Sequence, residues 1–274
     1  MSQGASPPRR VVTSAANARI RAAIALRDRR ERDRTGLTLI DGARELRCAL
    51  DAGVIATEVF LCEPRLAGGD ARAVLDRISA AGTTITSVSE AVLAKLAFGE
   101  RADGIVAIVA IPPLDLATLT LPDAPLVVVI EGVEKPGNIG AVLRSADGAG
   151  VDALILANAR TDPFNPNAIR ASAGTVFSVP LAAATTEVVV PWLRGRGLRI
   201  VAARPDADRL YTEIDLTGSL AIALGTESDG LTSAWAGAGV EAVRLPMLGV
   251  ADSLNVSVSA GILLYEARRQ RVAL

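Results

Sequence analysis

The chain has 274 residues, an apolar fraction of 50%, only 3% aromatics and no histidine. That composition excludes His-based acid–base catalysis, Ser-His-Asp triads and His-ligated metals, and argues against aromatic platforms for stacking bases. The formal net charge of −1 conceals an asymmetry: residues 1 to 34 carry nine Arg against Asp28, Glu31 and Asp33, a basic arm on an acidic body, as suits a polyanion held at one end.

Two domains are expected at this length. Cys48 and Cys62 stand alone, without a Cys-x-x-Cys partner, and read as small buried apolar residues rather than as a metal site or disulfide. No charged segment followed by an apolar stretch opens the chain and no run of about 18 apolar residues occurs, so a cytoplasmic protein with no membrane partner is expected.

Residues 1–12 lack periodicity and are expected to form a flexible basic tail. Thr13 and Ser14 can cap a helix running to about Arg32, with Ile20, Ala23 and Ile24 as its apolar stripe and arginines over the rest. Two readings of those arginines stay open: a solvated face with pairs such as Asp28 to Arg32, or contact with nucleic acid. Strands at 37–41, 58–62, 84–88 and 104–111 then alternate with helices at 43–52, 71–81 and 90–97, giving a compact α/β unit over 13–111. Four prolines fall within 112–125, the expected linker.

The second unit, 126–274, restarts with the aliphatic run at 126–130, which reads as a buried strand, and continues with a helix at 138–148. Further strands are expected at 153–156, 199–203, 220–224 and 242–245, with helices near 166–173, 188–194 and 231–236. Such alternation predicts a parallel sheet with ligands at the carboxyl ends of its strands. A helix is also expected from Asn255 onward, capped by Ser253 or Asn255.

Three polar loops follow expected strands and so gather at one sheet edge. In Pro136-Gly-Asn-Ile-Gly-Ala-Val-Leu-Arg144, the glycines permit close backbone approach and Arg144 can reach an anion at the helix start; a glycine turn with a surface Arg is the equally open alternative. A dinucleotide-dependent oxidoreductase is disfavoured because the Gly-x-Gly-x-x-Gly pattern is missing. In Leu224-Gly-Thr-Glu-Ser-Asp-Gly-Leu231, Gly225 lets a flat ligand lie on the backbone, while Glu227 and Asp229 offer acceptors or simply favour a helix N-terminus. The third loop is Leu245-Pro-Met-Leu-Gly through Ser253-Leu-Asn-Val-Ser-Val-Ser-Ala260.

Taken in order, these loops resemble the three motifs of the SpoU/TrmH family of RNA ribose 2′-O-methyltransferases, within the SPOUT superfamily. The segment from Arg170 to Pro180 is similar to the family's intervening stretch. Arg27 to Leu46 resembles the N-terminal RNA-binding extension of its ribosomal-RNA-directed members. Asp41 stands where many relatives carry Glu, and Glu131 opens a loop that Asp often opens.

The resemblance implies an α/β protein: a C-terminal parallel-sheet SPOUT domain with a trefoil knot, preceded by a smaller α/β RNA-binding domain. It implies transfer of a methyl group from S-adenosylmethionine to a ribose 2′-hydroxyl, most simply of ribosomal RNA. Transfer RNA, or a non-catalytic RNA-binding protein of the same fold, are the alternatives. Arg144, Asn138, Glu227, Ser253 and Asn255 are implied at the catalytic centre. Gly225, Leu245, Met247, Leu254 and Ala203 are implied at the cofactor, and Arg27, Arg29, Arg30, Arg32 and Arg44 at the RNA. A homodimer through the C-terminal helix and no metal are implied as well. Because a guanidinium stays protonated in proteins, Arg144 is expected to position the hydroxyl and stabilise developing negative charge.

Overall fold

The computed structural model describes residues 11–66, 68–98, 103–226, 229–237 and 239–272. They divide between two compact units, the first comprising residues 1–112 with 164–170, the second 113–163 with 171–274.

The first unit opens with two short helices, α1 (Ala18–Ala25) and α2 (Arg29–Thr35), where a single helix capped by Thr13 or Ser14 is expected from the sequence. Side chains explain the break. Asn17 caps α1 by accepting from Arg19 N–H at 2.9 Å, and Asp28 caps α2 by accepting from Arg30 N–H at 2.8 Å. The buried Arg32 guanidinium donates to the Leu26 and Arg27 carbonyls left free between them, at 2.9 and 2.8 Å. Val12, expected in the flexible tail, bridges Val88, with its N–H on the Ser87 carbonyl at 2.8 Å; residues 1–10 lie outside the described residues.

There follow β1 (Leu37–Asp41), α3 (Ala43–Asp51), β2 (Ala56–Leu61), α4 (Gly69–Ala80), β3 (Thr84–Ser87), α5 (Glu90–Leu96) and β4 (Ile105–Ala110). Their sheet runs β1-β4-β2-β3 and is mixed: β4 is antiparallel to both β1 and β2, while β2 and β3 are parallel. Ile20, Ala23, Leu39, Phe60, Val92 and Leu96 form part of its core.

The second unit contains β5 (Leu126–Glu131), α6 (Pro136–Ala149), β6 (Ala153–Ala157), α7 (Pro166–Ala171), β7 (Leu181–Ala184), α8 (Thr186–Gly195), β8 (Arg199–Ala203), β9 (Leu220–Leu224), β10 (Val240–Val243) and α9 (Val256–Val272); most of α7 clusters with the first unit. All five strand pairings are parallel, in the order β10-β8-β9-β5-β6-β7. Every residue of β5, β6 and β9 is buried, which is why these strands read as unbroken aliphatic runs. Residues 231–236, expected to be helical, supply only a 3₁₀ turn at Ser233–Trp235. In the segment expected as a linker, Leu116 and Leu119 are buried in the second unit's core. No helix among the described residues is long and apolar enough to cross a membrane.

Asp41, at the end of β1, is the first unit's buried carboxylate. Its Oδ2 accepts from Phe98 N–H at 2.6 Å and pairs with Arg170 at 3.2 Å. Burial outweighs both and pushes its pKa up to about 6, with Asp103 and Glu45 adding like charge nearby. A carboxyl with a raised folded-state pKa stabilises the protein fully below its ordinary value and loses that contribution as pH rises through the raised one. The melting temperature of the first unit should therefore fall between about pH 3.8 and about pH 6, and Asp41→Asn should flatten that fall. Thermal melts of both proteins across this range test it; parallel curves would exclude Asp41 as the source.

Candidate active site

Parallel strands deliver all their carboxyl ends to one edge, so the loops after β5, β8, β9 and β10 are neighbours. Directly after β9, a Cβ on Gly225 would run into the Gly230 carbonyl and the Leu231 nitrogen. Only glycine lets this loop fold back on itself, and the Gly230 N–H closes the turn on the Thr226 carbonyl at 3.0 Å. Gly230 adopts a φ of +64°, a conformation glycine reaches without cost.

A cavity of about 430 Å³ opens against this loop. Ala203, Leu224, Gly225 and Leu231 line it from the sheet side, and Leu245, Met247, Ser253 and Leu254 from the segment leading to α9. Arg204 and Asp206 also face it, joined by a two-pronged pair at 3.0 and 2.9 Å that holds the Asp206 carboxyl below the usual carboxylate range. Ser253 Oγ donates to Asp252 Oδ1 at 3.4 Å. A largely apolar pocket of this size with a few polar groups suits a small organic ligand.

A smaller cavity of about 200 Å³ adjoins it, lined by Glu131, Val133, Glu134, Lys135 and Asn138 and sharing Gly225, Thr226 and Val256 with the larger one. Asn138 lies in the first turn of α6, which starts with Pro136 at its first position. Asn255 stands just before α9, where its Oδ1 accepts from Ser257 N–H at 3.0 Å; its Nδ2 donates to Asn138 Oδ1 at 3.2 Å. One side chain thus caps α9 and ties it to the start of α6. The two helices also pack tightly, since a Cβ on Gly148 would meet the Tyr265 hydroxyl at 2.6 Å; on another side of α6, a Cβ on Gly140 would meet the Ser172 nitrogen at 2.7 Å.

The structure therefore gathers Ala203, Gly225, Leu245, Met247, Leu254 and Ser253 around one cavity, and Asn138 with Asn255 beside the next. Arg144, further along α6, is exposed and lines neither cavity; among the described residues it has no ion-pair partner. Glu227 lies outside the described residues. Lys135, Thr226, Arg204 and Asp206 join the site without having been singled out in the sequence. Their signal is position alone, since each follows a strand end or flanks a glycine turn. No group of three or more acidic or Cys residues able to hold a metal occurs among the described residues.

In the first unit the arginines divide by role. Arg32, expected at RNA, is instead buried at 1% exposure, and its guanidinium satisfies the carbonyls between α1 and α2. Arg27 donates to the Lys95, Leu96 and Ala97 carbonyls and stacks over Phe98 at 4.5 Å, closing the C-terminus of α5. Arg29 pairs with Asp33 at 3.6 Å. Arg30 and Arg44 are exposed.

A family model described as the SpoU rRNA Methylase family matches residues 125–265, and one described as the MRM3-like substrate binding domain matches residues 17–107. The chain is 34% identical over 207 residues to the 23S rRNA (guanosine-2'-O-)-methyltransferase RlmB of Vibrio vulnificus, covering 73% of this chain and 83% of that protein. A crystal structure described as an RNA 2'-O ribose methyltransferase is 42% identical, with a TM-score of 0.85 over 96% of this chain and 100% of that one. The AdoMet-bound rRNA methyltransferase from Sinorhizobium meliloti is 30% identical, with a TM-score of 0.86 over 95% of this chain and 97% of that one.

The glycines of the site separate in a simple experiment. Gly225→Ala forces backbone apart and should destabilise the protein by on the order of 2 kcal/mol, lowering its melting temperature by several degrees. Gly137→Ala places a Cβ in open space within a helix and should be neutral or slightly stabilising. Equal melting temperatures would contradict the tight fold-back at Gly225.

Proposed function

The chain belongs to the SpoU rRNA methylase family, and from that premise we propose that it transfers a methyl group from S-adenosylmethionine to a ribose 2′-hydroxyl of ribosomal RNA. The observation that carries this reading is the pair of adjoining cavities sharing Gly225 and Thr226: one has the size and bare backbone for the cofactor, the other the polar side chains for a ribose. The residues present fit the cofactor. Gly225 and Thr226 line the larger cavity beside the tight turn at Gly230, Leu245, Met247 and Leu254 offer apolar contact, and Ala203 is small enough to keep that side open.

Bound there, the sulfonium supplies an activated methyl group. The chain's own residues then have to align the acceptor hydroxyl, exclude competing water and accommodate charge as its proton leaves. Asn138, fixed by Asn255, orients the ribose. Arg144 lines neither cavity; in this reading the RNA reaches it on the exposed side of α6, where its positive charge meets the phosphate and the developing alkoxide. Ser253 and Glu227 are assigned to the hydrogen-bonding surround. Ribosomal RNA as the substrate is supported by the 23S rRNA-directed relative and by the substrate-binding domain that matches 17–107. On the first unit, Arg29, Arg30 and Arg44 remain for phosphate contact.

A homodimer through α9 belongs to the same reading, supported by Leu248, Val250, Val258 and Tyr265, all exposed in or just before this helix. So does the trefoil threading. It rests on the family to which the chain belongs. A cytoplasmic location follows from the ribosomal substrate.

Three measurements test the proposal. Labelled methyl should pass from S-adenosylmethionine to unmodified 23S ribosomal RNA, and no incorporation would sink it. Arg144→Ala should lower the transfer rate by roughly 10²-fold or more while calorimetry shows cofactor affinity unchanged; joint loss of both would make Arg144 structural. Replacing Arg30 and Arg44 by Ala should reduce the slope of log affinity against log salt by about 0.7 for each phosphate no longer neutralised, and an unchanged slope would remove them from the RNA interface.

A further inference from the structure

Glu131 is the last residue of β5 and the one charged position in an otherwise aliphatic strand. It is 3% exposed, and no cation pairs with it among the described residues. Neutral donors satisfy it instead. Its Oε1 accepts from the hydroxyls of Thr186 and Thr232, the latter at 2.9 Å, and its Oε2 accepts from the Thr232 N–H at 2.8 Å. Thr186, at the start of α8, is held in turn by Asn158 just past β6: Asn158 Nδ2 donates to Thr186 Oγ1 at 2.9 Å, and Thr186 N–H donates to Asn158 Oδ1 at 3.3 Å. Asn158 itself adopts a φ of 48°, a left-handed setting that Asn tolerates better than most residues with a side chain.

A buried carboxylate is costly unless its lone pairs are taken, and an uncharged side chain could have packed here at lower cost. The carboxylate's two oxygens take both donors of one threonine, its hydroxyl on Oε1 and its N–H on Oε2, while Oε1 also holds the Thr186 hydroxyl. Thr232 directly follows Leu231, which lines the larger cavity, and Gly230, which packs against Gly225. Glu131 also lines the smaller cavity and begins the loop that ends in Asn138. It therefore touches both banks of the site.

Resting on the methyltransferase reading, we propose that Glu131 is a positioning residue: its grip on Thr232 sets the loop 229–232 against β5, so that the larger cavity's floor and the Asn138 end of the smaller one keep a fixed register. It acts through Thr232, to which both of its carboxylate oxygens are committed.

The test uses the full chain with S-adenosylmethionine and unmodified 23S ribosomal RNA. Glu131→Gln keeps the shape but turns one acceptor into a donor. It should weaken cofactor binding by about tenfold or more, as loss of hydrogen bonds to a charged group predicts, and lower the transfer rate at saturating cofactor. It should also speed amide exchange at Thr232 in the cofactor-free protein. Thr232→Val removes the hydroxyl bond and leaves the N–H bond, so a smaller effect of the same kind is expected, and Thr232→Ser should restore wild-type values. The double variant should bind hardly worse than Glu131→Gln alone. Should Glu131→Gln not fold, Thr232→Val against Thr232→Ser reads the same contact from its other side. A change in melting temperature alone, with cofactor affinity, transfer rate and Thr232 exchange as in wild type, would overturn the proposal. If the wild-type chain itself fails to bind S-adenosylmethionine, the methyltransferase reading fails instead, and the two failures are distinct.

Discussion

Burial of the second unit's sheet on both faces is the constraint from which its site follows. With β5, β6 and β9 enclosed by helices, no polar side chain can be placed along them without a matching set of buried donors or acceptors. Polar chemistry is confined to the strand ends. Because every pairing is parallel, those ends fall along a single edge, and loops distant in sequence become neighbours there. Gly225 lets the backbone fold tightly enough to leave a cavity, while Asn255 and Asn138 join the two helix starts beside it.

The first unit shows how composition can overstate function. Its arginine surplus is real, yet Arg27 and Arg32 serve the fold, one closing α5 and the other filling the gap between α1 and α2. An arginine offers several donors in a rigid fork, which suits it to groups of backbone carbonyls as well as to phosphates. Bonding rather than exposure separates the two uses, since Arg27 is exposed yet committed to three carbonyls, while Arg30 and Arg44 can meet a phosphate without giving up such a bond.

What is legible in the sequence follows the strength of the local pattern. The aliphatic runs at β5, β6, β8 and β9 are plain because a strand buried on both sides tolerates little else. Leu181–Ala184 is not, since a leucine and three alanines after a proline carry no periodicity and only pairing with β6 makes them a strand. The break between α1 and α2 is hidden for a related reason: Asp28 reads equally well as an ion-pair partner within one helix or as the cap of a second, and the buried Arg32 decides it. At the site, the three glycine and asparagine loops are visible as motifs. Glu131 is visible only as a residue; that its oxygens reach Thr186 and Thr232 depends on strand order, which periodicity does not encode.

Helix α9 runs from Asn255 at the carboxyl edge of the sheet to Arg271, whose guanidinium rests on carbonyls at the opposite edge. Seventeen residues of helix span about 25 Å, somewhat more than the length of the strands beside it. In mechanical terms α9 is a tie rod bolted at both ends of the sheet. A pulling force applied at the C-terminal side has to strip the Arg271 fork before any load reaches Asn255. The pocket lies at the far end of the rod, shielded from strain that begins at the other.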